Sequence, residues 1–134
     1  MTASVEYLGD LRTKMTHHLS GEEIYTDAPP DNQGKGNYFS PTDLLSSALA
    51  SCMITMMGIK ANQHQWDITG TRAEVEKIMH SSPRRVGKLV IRLFIPGKDL
   101  AHSEKMILVN TAKYCPVAIS LHPDIEQQLE IFWE

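Results

Sequence analysis

Two cysteines are the residues of this sequence best suited to covalent chemistry. Cys52 lies in an uncharged run between Leu44 and Ile59, and Cys115 directly precedes Pro116. Thiolates are nucleophiles that can be oxidised reversibly, so two cysteines could carry a thiol–disulfide cycle. Free cysteines are also common as small buried apolar residues, and this alternative remains open on composition alone.

The position of each cysteine in its predicted helix bears on its acidity. Pro116 is typical of the first position of a helix, which places Cys115 at the cap of a short helix. Unpaired backbone N–H groups at a helix N-terminus favour a thiolate, so we expect a lowered pKa for Cys115. Cys52 lies about three turns inside its helix, beyond the reach of the helix dipole, and needs a cation from elsewhere in the fold. Arg12 is a candidate for that cation if the fold brings it there.

Composition is that of a globular protein. The 134 residues are enough for one domain with a hydrophobic core, and 42% are hydrophobic while 22% are charged. The net charge of -3 gives no indication of a nucleic-acid or membrane partner. The N-terminus carries no basic run followed by an apolar segment, so we expect a cytoplasmic protein. Structural disulfides are rare in that compartment, which draws attention to the cysteines as thiols.

Residues 40–62 are predicted to form a long central helix. Ser40 can cap it, Pro41 suits its first position, and Asp43 places a carboxylate in the first turn. The helix is apolar nearly all round, as in a membrane span or a core helix. Its uncharged run is shorter than the ~18 residues of a span, so we predict a core helix. One apolar stripe at helical spacing consists of Leu45, Ala48, Leu49, Cys52, Met56 and Ile59.

Hydrophobic alternation predicts six strands in the rest of the chain. They span residues 3–7, 11–18, 23–26, 69–80, 87–95 and 125–133. A second helix is predicted over residues 98–114, beginning near Asp99 or Ser103. The order βββ-α-ββ-α-β indicates a single α+β domain over residues 1–134, with antiparallel sheets around a long buried central helix.

Residues 27–37, rich in Pro, Gly, Asp and Asn, are predicted to form a loop. Gly34 and Gly36 lie in it without a nucleotide-binding pattern around them. Tyr38 and Phe39 follow immediately before the helix cap, where they could form a hydrophobic staple or line a pocket at the helix entrance. The six histidines show no metal-ligand spacing, so we expect neither a metal nor a bound cofactor.

Several short motifs together resemble the OsmC/Ohr family. These are Arg12 in the first hairpin, Gly34 to Gly36, the helix start SPTDLL, Cys52 in ALASC, and Cys115-Pro116-Val117. The resemblance extends over nearly the whole chain. It implies an OsmC-like fold, an intertwined homodimer with each active site at the subunit interface, and thiol-dependent reduction of organic hydroperoxides.

The resemblance implies a role for three residues. Cys52 matches the peroxidatic cysteine, which attacks the peroxide and becomes a sulfenic acid. Cys115 matches the resolving cysteine, which condenses with that acid to a Cys52–Cys115 disulfide. Arg12 matches the arginine that stabilises the thiolate and orients the peroxide. A dithiol reductant, either a dihydrolipoyl protein or a small thiol, would complete the cycle.

One position departs from the family pattern. Characterised reductases have a glutamate directly after the helix-start proline, where it holds the arginine toward the cysteine, and Thr42 stands there in this chain. Asp43 is one residue later and turned by ~100° around the helix, so we expect it to cap the helix instead. The departure favours an alternative: a protein that binds a small apolar ligand or senses redox state, with weak or no peroxidase activity. The predicted substrate pocket consists of Tyr38, Phe39, Thr42 and Met56.

Overall fold

The structure is a computed structural model that describes all residues from 1 to 134. The chain divides into two compact units, residues 1–45 and residues 46–134. The elements follow the order βββ-α-ββ-α-α-β, so the predicted α+β class is confirmed. The single domain over residues 1–134 stays a prediction.

The first unit contains a three-stranded antiparallel sheet. Its strands are β1 (Ala3–Gly9), β2 (Arg12–His17) and β3 (Glu23–Asp27), in the order β1-β2-β3. Asp10 and Leu11 form the turn between β1 and β2 with φ angles of 54° and 62°, as in a tight hairpin turn. The register of β2 against β3 pairs Arg12 with Asp27, so these two side chains start from neighbouring positions.

The loop after β3 folds tightly back on itself and contains one short 3₁₀ turn, Pro30–Asn32. A Cβ atom added to Gly34 would collide with the Ala28 carbonyl, and one added to Gly36 would collide with the ring of Pro30. Gly36 also has a φ of +65°, which favours glycine. The two glycines therefore serve the packing of this loop.

Helix α1 spans Pro41–Gln63 and begins with the predicted cap. The Asp43 N–H donates to Ser40 Oγ at 3.0 Å, and the Ser40 N–H donates to the Asp43 carboxylate at 2.9 Å. This reciprocal pair is a capping box. The prediction that Asp43 caps the helix is confirmed.

The predicted apolar stripe of α1 coincides only in part with its buried face: Leu49 is buried, and Cys52 and Met56 are half-buried against the core cluster. The buried residues are Ser46, Leu49, Ala50, Met53, Met57 and Ala61. Leu45 and Ile59 are instead 37% and 48% exposed. Apolar residues lie on every side of this helix, so periodicity did not select one face. By length and composition α1 could also cross a membrane, yet Leu49, Met53 and Met57 belong to the core.

The second unit contains the remainder of α1, a second sheet and two further helices. The strands are β4 (Arg72–His80), β5 (Arg85–Ile95) and β6 (Glu126–Trp133), and the helices are α2 (His102–Lys113) and α3 (Pro116–Ser120). Strand β5 pairs antiparallel with β4 but parallel with β6, so the prediction of antiparallel sheets is wrong for this pair. A parallel pair needs a long crossover connection, and α2 and α3 provide it.

The start of α2 differs from the prediction. The N-cap of α2 is Ala101, rather than Asp99 or Ser103, and its N–H donates to the Glu104 side chain at 2.8 Å. The short helix α3 after Cys115 was predicted and is confirmed, although the predicted element order omitted it.

The core of the second unit lies between α1, one face of β5, and the helices α2 and α3. Alternate residues of β5 point into it and are almost completely buried: Leu89, Ile91, Leu93 and Ile95. Leu49 and Met57 contribute from α1, and Leu108 contributes from α2. Cys115 is part of the same cluster, which places one of the two thiols in an apolar environment.

Candidate functional site

Cys115 lies at the N-cap of α3 and is 0% exposed. Its backbone is extended, and Pro116 begins the helix directly after it. The Ala118 N–H donates to Cys115 Sγ at 3.4 Å. The predicted cap position is therefore confirmed, because proline at the first helical position leaves the preceding residue to cap the turn.

Burial raises the pKa of the Cys115 thiol, so the expectation of a lowered value is wrong. The neighbouring Cys52 thiol acts in the same direction, whereas the Ala118 N–H opposes it without prevailing. Desolvation disfavours a thiolate, and its effect exceeds that of one helix N-terminus. The sequence shows the cap but does not show how deeply it is buried.

Cys52 lies on α1, is half-buried, and packs against the core cluster. Both cysteines are free thiols, and they lie close enough together for Cys52 to affect the ionisation of Cys115. The structure thus brings together two thiols that are 63 positions apart in the sequence. Of the two thiols, Cys52 is the more accessible and Cys115 is completely buried.

In the first unit, Arg12 forms a bidentate ion pair with Asp27. Arg12 Nε donates to Asp27 Oδ1 at 2.7 Å, and Arg12 Nη2 donates to Oδ2 at 2.9 Å. Asp27 is 1% exposed, and its Oδ2 also accepts from the Asn37 N–H at 3.0 Å. The hydrogen bonds from Arg12 lower the pKa of the Asp27 carboxyl group despite its burial. Sequence reasoning missed Asp27, since the only available signal was the register of β2 against β3.

Tyr38 lies beside this ion pair. The Arg12 guanidinium is 4.8 Å from the centroid of the Tyr38 ring, within the range of a cation–π contact. The Tyr38 ring also packs on Tyr25 with a centroid separation of 5.5 Å. Two of the predicted site residues, Arg12 and Tyr38, are therefore neighbours in the first unit.

The remaining predicted pocket residues are Phe39, Thr42 and Met56. Phe39 has an exposed side chain, and its carbonyl accepts from the Asp27 N–H at 3.2 Å. Thr42 Oγ1 is 3.2 Å from Ser40 Oγ at the start of α1. Met56 is half-buried against the core cluster of the second unit. Two open depressions beside Trp66, of about 240 and 380 Å³, include none of the predicted site residues in their lining. A pocket lined by these residues stays a prediction.

Comparison with known proteins places this geometry in a family. Residues 34–130 match the OsmC-like protein family, and this segment contains both cysteines. The chain belongs to the OsmC-like family. Arg12 and Asp27 precede the matched segment. A comparison with curated proteins finds no match.

Solved structures of other proteins share the OsmC-like fold. A protein of Psychrobacter arcticus, provisionally named an osmotic stress induced and detoxification response protein, is 53% identical, with 98% of this chain and 95% of that chain covered and a TM-score of 0.93. The organic hydroperoxide resistance protein OsmC of Legionella pneumophila is 17% identical, with coverages of 98% and 97% and a TM-score of 0.77. The organic hydroperoxide resistance protein OhrB of Bacillus subtilis is 18% identical, with both coverages 98% and a TM-score of 0.67.

The last two similarities show the fold alone, because their sequence identities are low.

Proposed function

We propose that this protein reduces organic hydroperoxides by a two-cysteine mechanism. The observation that carries the proposal is the pair of neighbouring free thiols, half-buried Cys52 and buried Cys115, in a member of the OsmC-like family. A two-cysteine reductase needs one thiol that peroxide can reach and a second thiol that can reach the first. The position of half-buried Cys52 beside buried Cys115 supports such an arrangement.

In the first step, the Cys52 thiolate attacks the distal oxygen of the hydroperoxide. A sulfur–oxygen bond forms, the oxygen–oxygen bond breaks, and the alkoxide takes a proton from water and leaves as an alcohol. The peroxide is reduced by two electrons, and Cys52 becomes a sulfenic acid. The raised pKa of Cys115 supports this order, because it keeps Cys115 protonated while Cys52 reacts.

In the second step, the Cys115 sulfur attacks the Cys52 sulfur. The sulfur–oxygen bond breaks, and the departing hydroxide combines with the Cys115 proton to form water. A Cys52–Cys115 disulfide remains, which an external dithiol reduces by exchange. We propose that the reductant is a dihydrolipoyl protein or a small thiol in the cytoplasm.

Arg12 supplies the positive charge in this mechanism. A guanidinium carries five N–H groups, and Asp27 engages two of them, which leaves three for a thiolate, a peroxide oxygen or a developing alkoxide. Such a donor favours the ionised form of Cys52 and stabilises the charge that forms on the leaving oxygen. Tyr38, Phe39, Thr42 and Met56 are proposed to line the substrate pocket.

We also propose that the protein is an intertwined homodimer. The first sheet has an apolar row on one face, formed by Val5, Met15 and Ile24, which are directly opposite one another in neighbouring strands. Tyr7 lies two residues along β1 from Val5 on the same face and is 65% exposed. A contiguous exposed apolar face favours an interface with another molecule, and sedimentation of the purified protein would measure the assembly.

Mass spectrometry of the reduced protein tests the reductase chemistry. One equivalent of cumene hydroperoxide should remove two hydrogens rapidly, and peptide mapping should locate a Cys52–Cys115 disulfide. A parallel reaction with hydrogen peroxide should be slower, because the proposed substrate is an organic hydroperoxide. Slow oxidation by both peroxides would contradict the proposal and favour the ligand-binding alternative, which a co-purifying small apolar molecule would then support.

A further inference from the structure

We propose that Asp27 is the residue that positions the Arg12 guanidinium, in place of a carboxylate at the start of α1. The proposal rests on the proposed function, since Arg12 is assigned there to the reaction of Cys52. Asp27 is a positioning residue: it acts through Arg12 and does not itself contact the peroxide.

The geometry of the pair fixes the guanidinium in orientation as well as in place. Two parallel hydrogen bonds of 2.7 and 2.9 Å join one edge of Arg12 to the two oxygens of Asp27. Bidentate pairs of this kind restrict the guanidinium plane, whereas a single ion pair would leave it free to rotate. The Tyr38 ring 4.8 Å away limits its movement further.

Asp27 is itself held from several directions. Its main chain continues β3, its N–H donates to the Phe39 carbonyl at 3.2 Å, and its Oδ2 accepts from the Asn37 N–H at 3.0 Å. The loop that delivers Asn37 requires Gly34, because any side chain there would collide with Ala28. The backbone contacts that hold the Asp27 carboxylate are thus independent of Arg12.

The start of α1 does not offer a carboxylate of this kind. Thr42, directly after the helix-start proline, has no carboxylate. The carboxylate of Asp43 accepts from the Ser40 N–H at 2.9 Å as part of the capping box. Asp10 also acts on Arg12 electrostatically, but its side chain is exposed and 4.0 Å from Lys35. Asp27 is the carboxylate that forms hydrogen bonds with the guanidinium.

Positioning and charge predict opposite effects when Asp27 becomes neutral. If Asp27 acted only through its charge, Asp27→Asn would make the surroundings of Arg12 more positive, and Cys52 would ionise at lower pH. If Asp27 holds Arg12 in place, the same variant releases the guanidinium, and Cys52 ionises at higher pH. The charged or titratable groups that act on Arg12 are Asp27, Tyr38 and Asp10, with Lys35 acting on Asp27.

The experiment measures alkylation of Cys52 by iodoacetamide as a function of pH in a Cys115→Ser background, where Cys52 is the remaining thiol. We expect Asp27→Asn to move the alkylation midpoint to higher pH. In the two-cysteine protein, we expect Asp27→Asn to lower kcat/KM for cumene hydroperoxide by about 100-fold, the loss typical of a small misplacement in an active site. Asp10→Asn is the matched control, because it removes a nearby charge without removing a hydrogen bond to Arg12. The alkylation midpoint of this control should equal that of the parent protein or lie at slightly lower pH.

A midpoint that stays or falls in folded Asp27→Asn would overturn the proposal. Asp27→Glu provides a second test if Asp27→Asn does not fold, since it keeps the charge but lengthens the side chain and disturbs the bidentate geometry. We expect a rise in its midpoint as well, and an unchanged midpoint would count against the proposal. Failure of the wild-type protein to consume peroxide would refute the proposed function alone, because the alkylation profile is measured without peroxide.

Discussion

The two units of this protein hold their candidate functional groups by different physical means. In residues 1–45, the Arg12 guanidinium is held by charge-assisted hydrogen bonds to Asp27. In residues 46–134, the Cys115 thiol is held by burial in an apolar cluster, and the Cys52 thiol is half-buried beside it. The first unit favours the ionised form of the buried Asp27 carboxyl group, and the second unit favours the neutral form of the buried Cys115 thiol.

This difference shows that burial alone does not decide ionisation. Asp27 and Cys115 are both almost completely buried, yet the pKa of Asp27 is lowered by Arg12 and the pKa of Cys115 is raised by desolvation. A buried acid stays charged when an opposite charge donates hydrogen bonds to it, and it becomes neutral when its surroundings are apolar. The first arrangement suits a fixed cation, and the second suits a thiol that reacts after its neighbour.

The largest expected effect comes from separating the two thiols. Cys52→Ser should abolish peroxide consumption, because it removes the nucleophile that peroxide reaches first. Cys115→Ser should retain the first step and accumulate a sulfenic acid on Cys52, detectable by dimedone trapping and mass spectrometry. A sulfenic acid trapped on Cys115 in the Cys52→Ser protein would show that the two roles are reversed.

The next largest effect is expected when a side chain is removed from the hydrophobic core of the second unit. Leu49→Ala removes a completely buried side chain from the core cluster that includes Cys115, and we expect a loss of about 2–5 kcal/mol in the free energy of unfolding. Urea denaturation measures it. Leu19→Ala is the matched control, because Leu19 is 91% exposed and should change stability by less than about 0.5 kcal/mol. Equal effects at the two sites would contradict the assignment of Leu49 to the core.

A smaller effect is expected at the capping box that begins α1. Ser40→Ala removes the oxygen that accepts from the Asp43 N–H, and caps of this kind contribute about 1 kcal/mol to the free energy of unfolding. Thermal denaturation would measure the loss. Ser51→Ala, in the exposed middle of the same helix, should leave stability unchanged or slightly higher, because alanine is the better helix former. A similar loss in both variants would argue against a specific cap.

The smallest expected effects are changes in the free energy of unfolding at acidic and at alkaline pH. The pKa of Asp27 is lowered in the folded protein, so its stabilisation is present above the unfolded value of about 3.9 and is lost as pH falls through the folded pKa. The pKa of Cys115 is raised, so its stabilisation is present below the unfolded value of about 8.5 and is lost as pH rises through the folded pKa.

Urea denaturation as a function of pH tests both signs. Compared with the wild-type protein, Asp27→Asn should weaken the acid-dependent loss of stability and leave the alkaline side unchanged. Cys115→Ser should do the reverse. The proposed difference between the two units would be contradicted if Asp27→Asn changed stability at alkaline pH and Cys115→Ser changed it at acidic pH.

Local features of this chain could be predicted from its sequence. The capping box of Ser40 and Asp43 and the helix that begins at Pro116 depend on residues within three or four positions of each other. The pattern of β5 also follows from strict alternation, which showed Leu89, Ile91, Leu93 and Ile95 on one face. Short-range backbone geometry decides such elements, so the sequence contains the necessary information.

The parallel pairing of β6 and the buried face of α1 could not be predicted in the same way. Parallel pairing of β6 depends on the path of α2 and α3 back across the sheet, and both orientations are compatible with the same alternation of residues. The face of α1 that contains Met53 and Met57 is no more apolar in sequence than the face that contains Leu45 and Ile59. Only its packing partners distinguish the two faces.

The sequence by itself determined the two cysteines, their helices and the resemblance to the OsmC-like family that the comparisons confirm. Only the tertiary structure decided that burial raises the pKa of the Cys115 thiol, and that Asp27 is the carboxylate bound to Arg12. The physical reason is common to both findings. Desolvation and ion pairing depend on the atoms that surround a group in space, and those atoms come from residues distant in the chain.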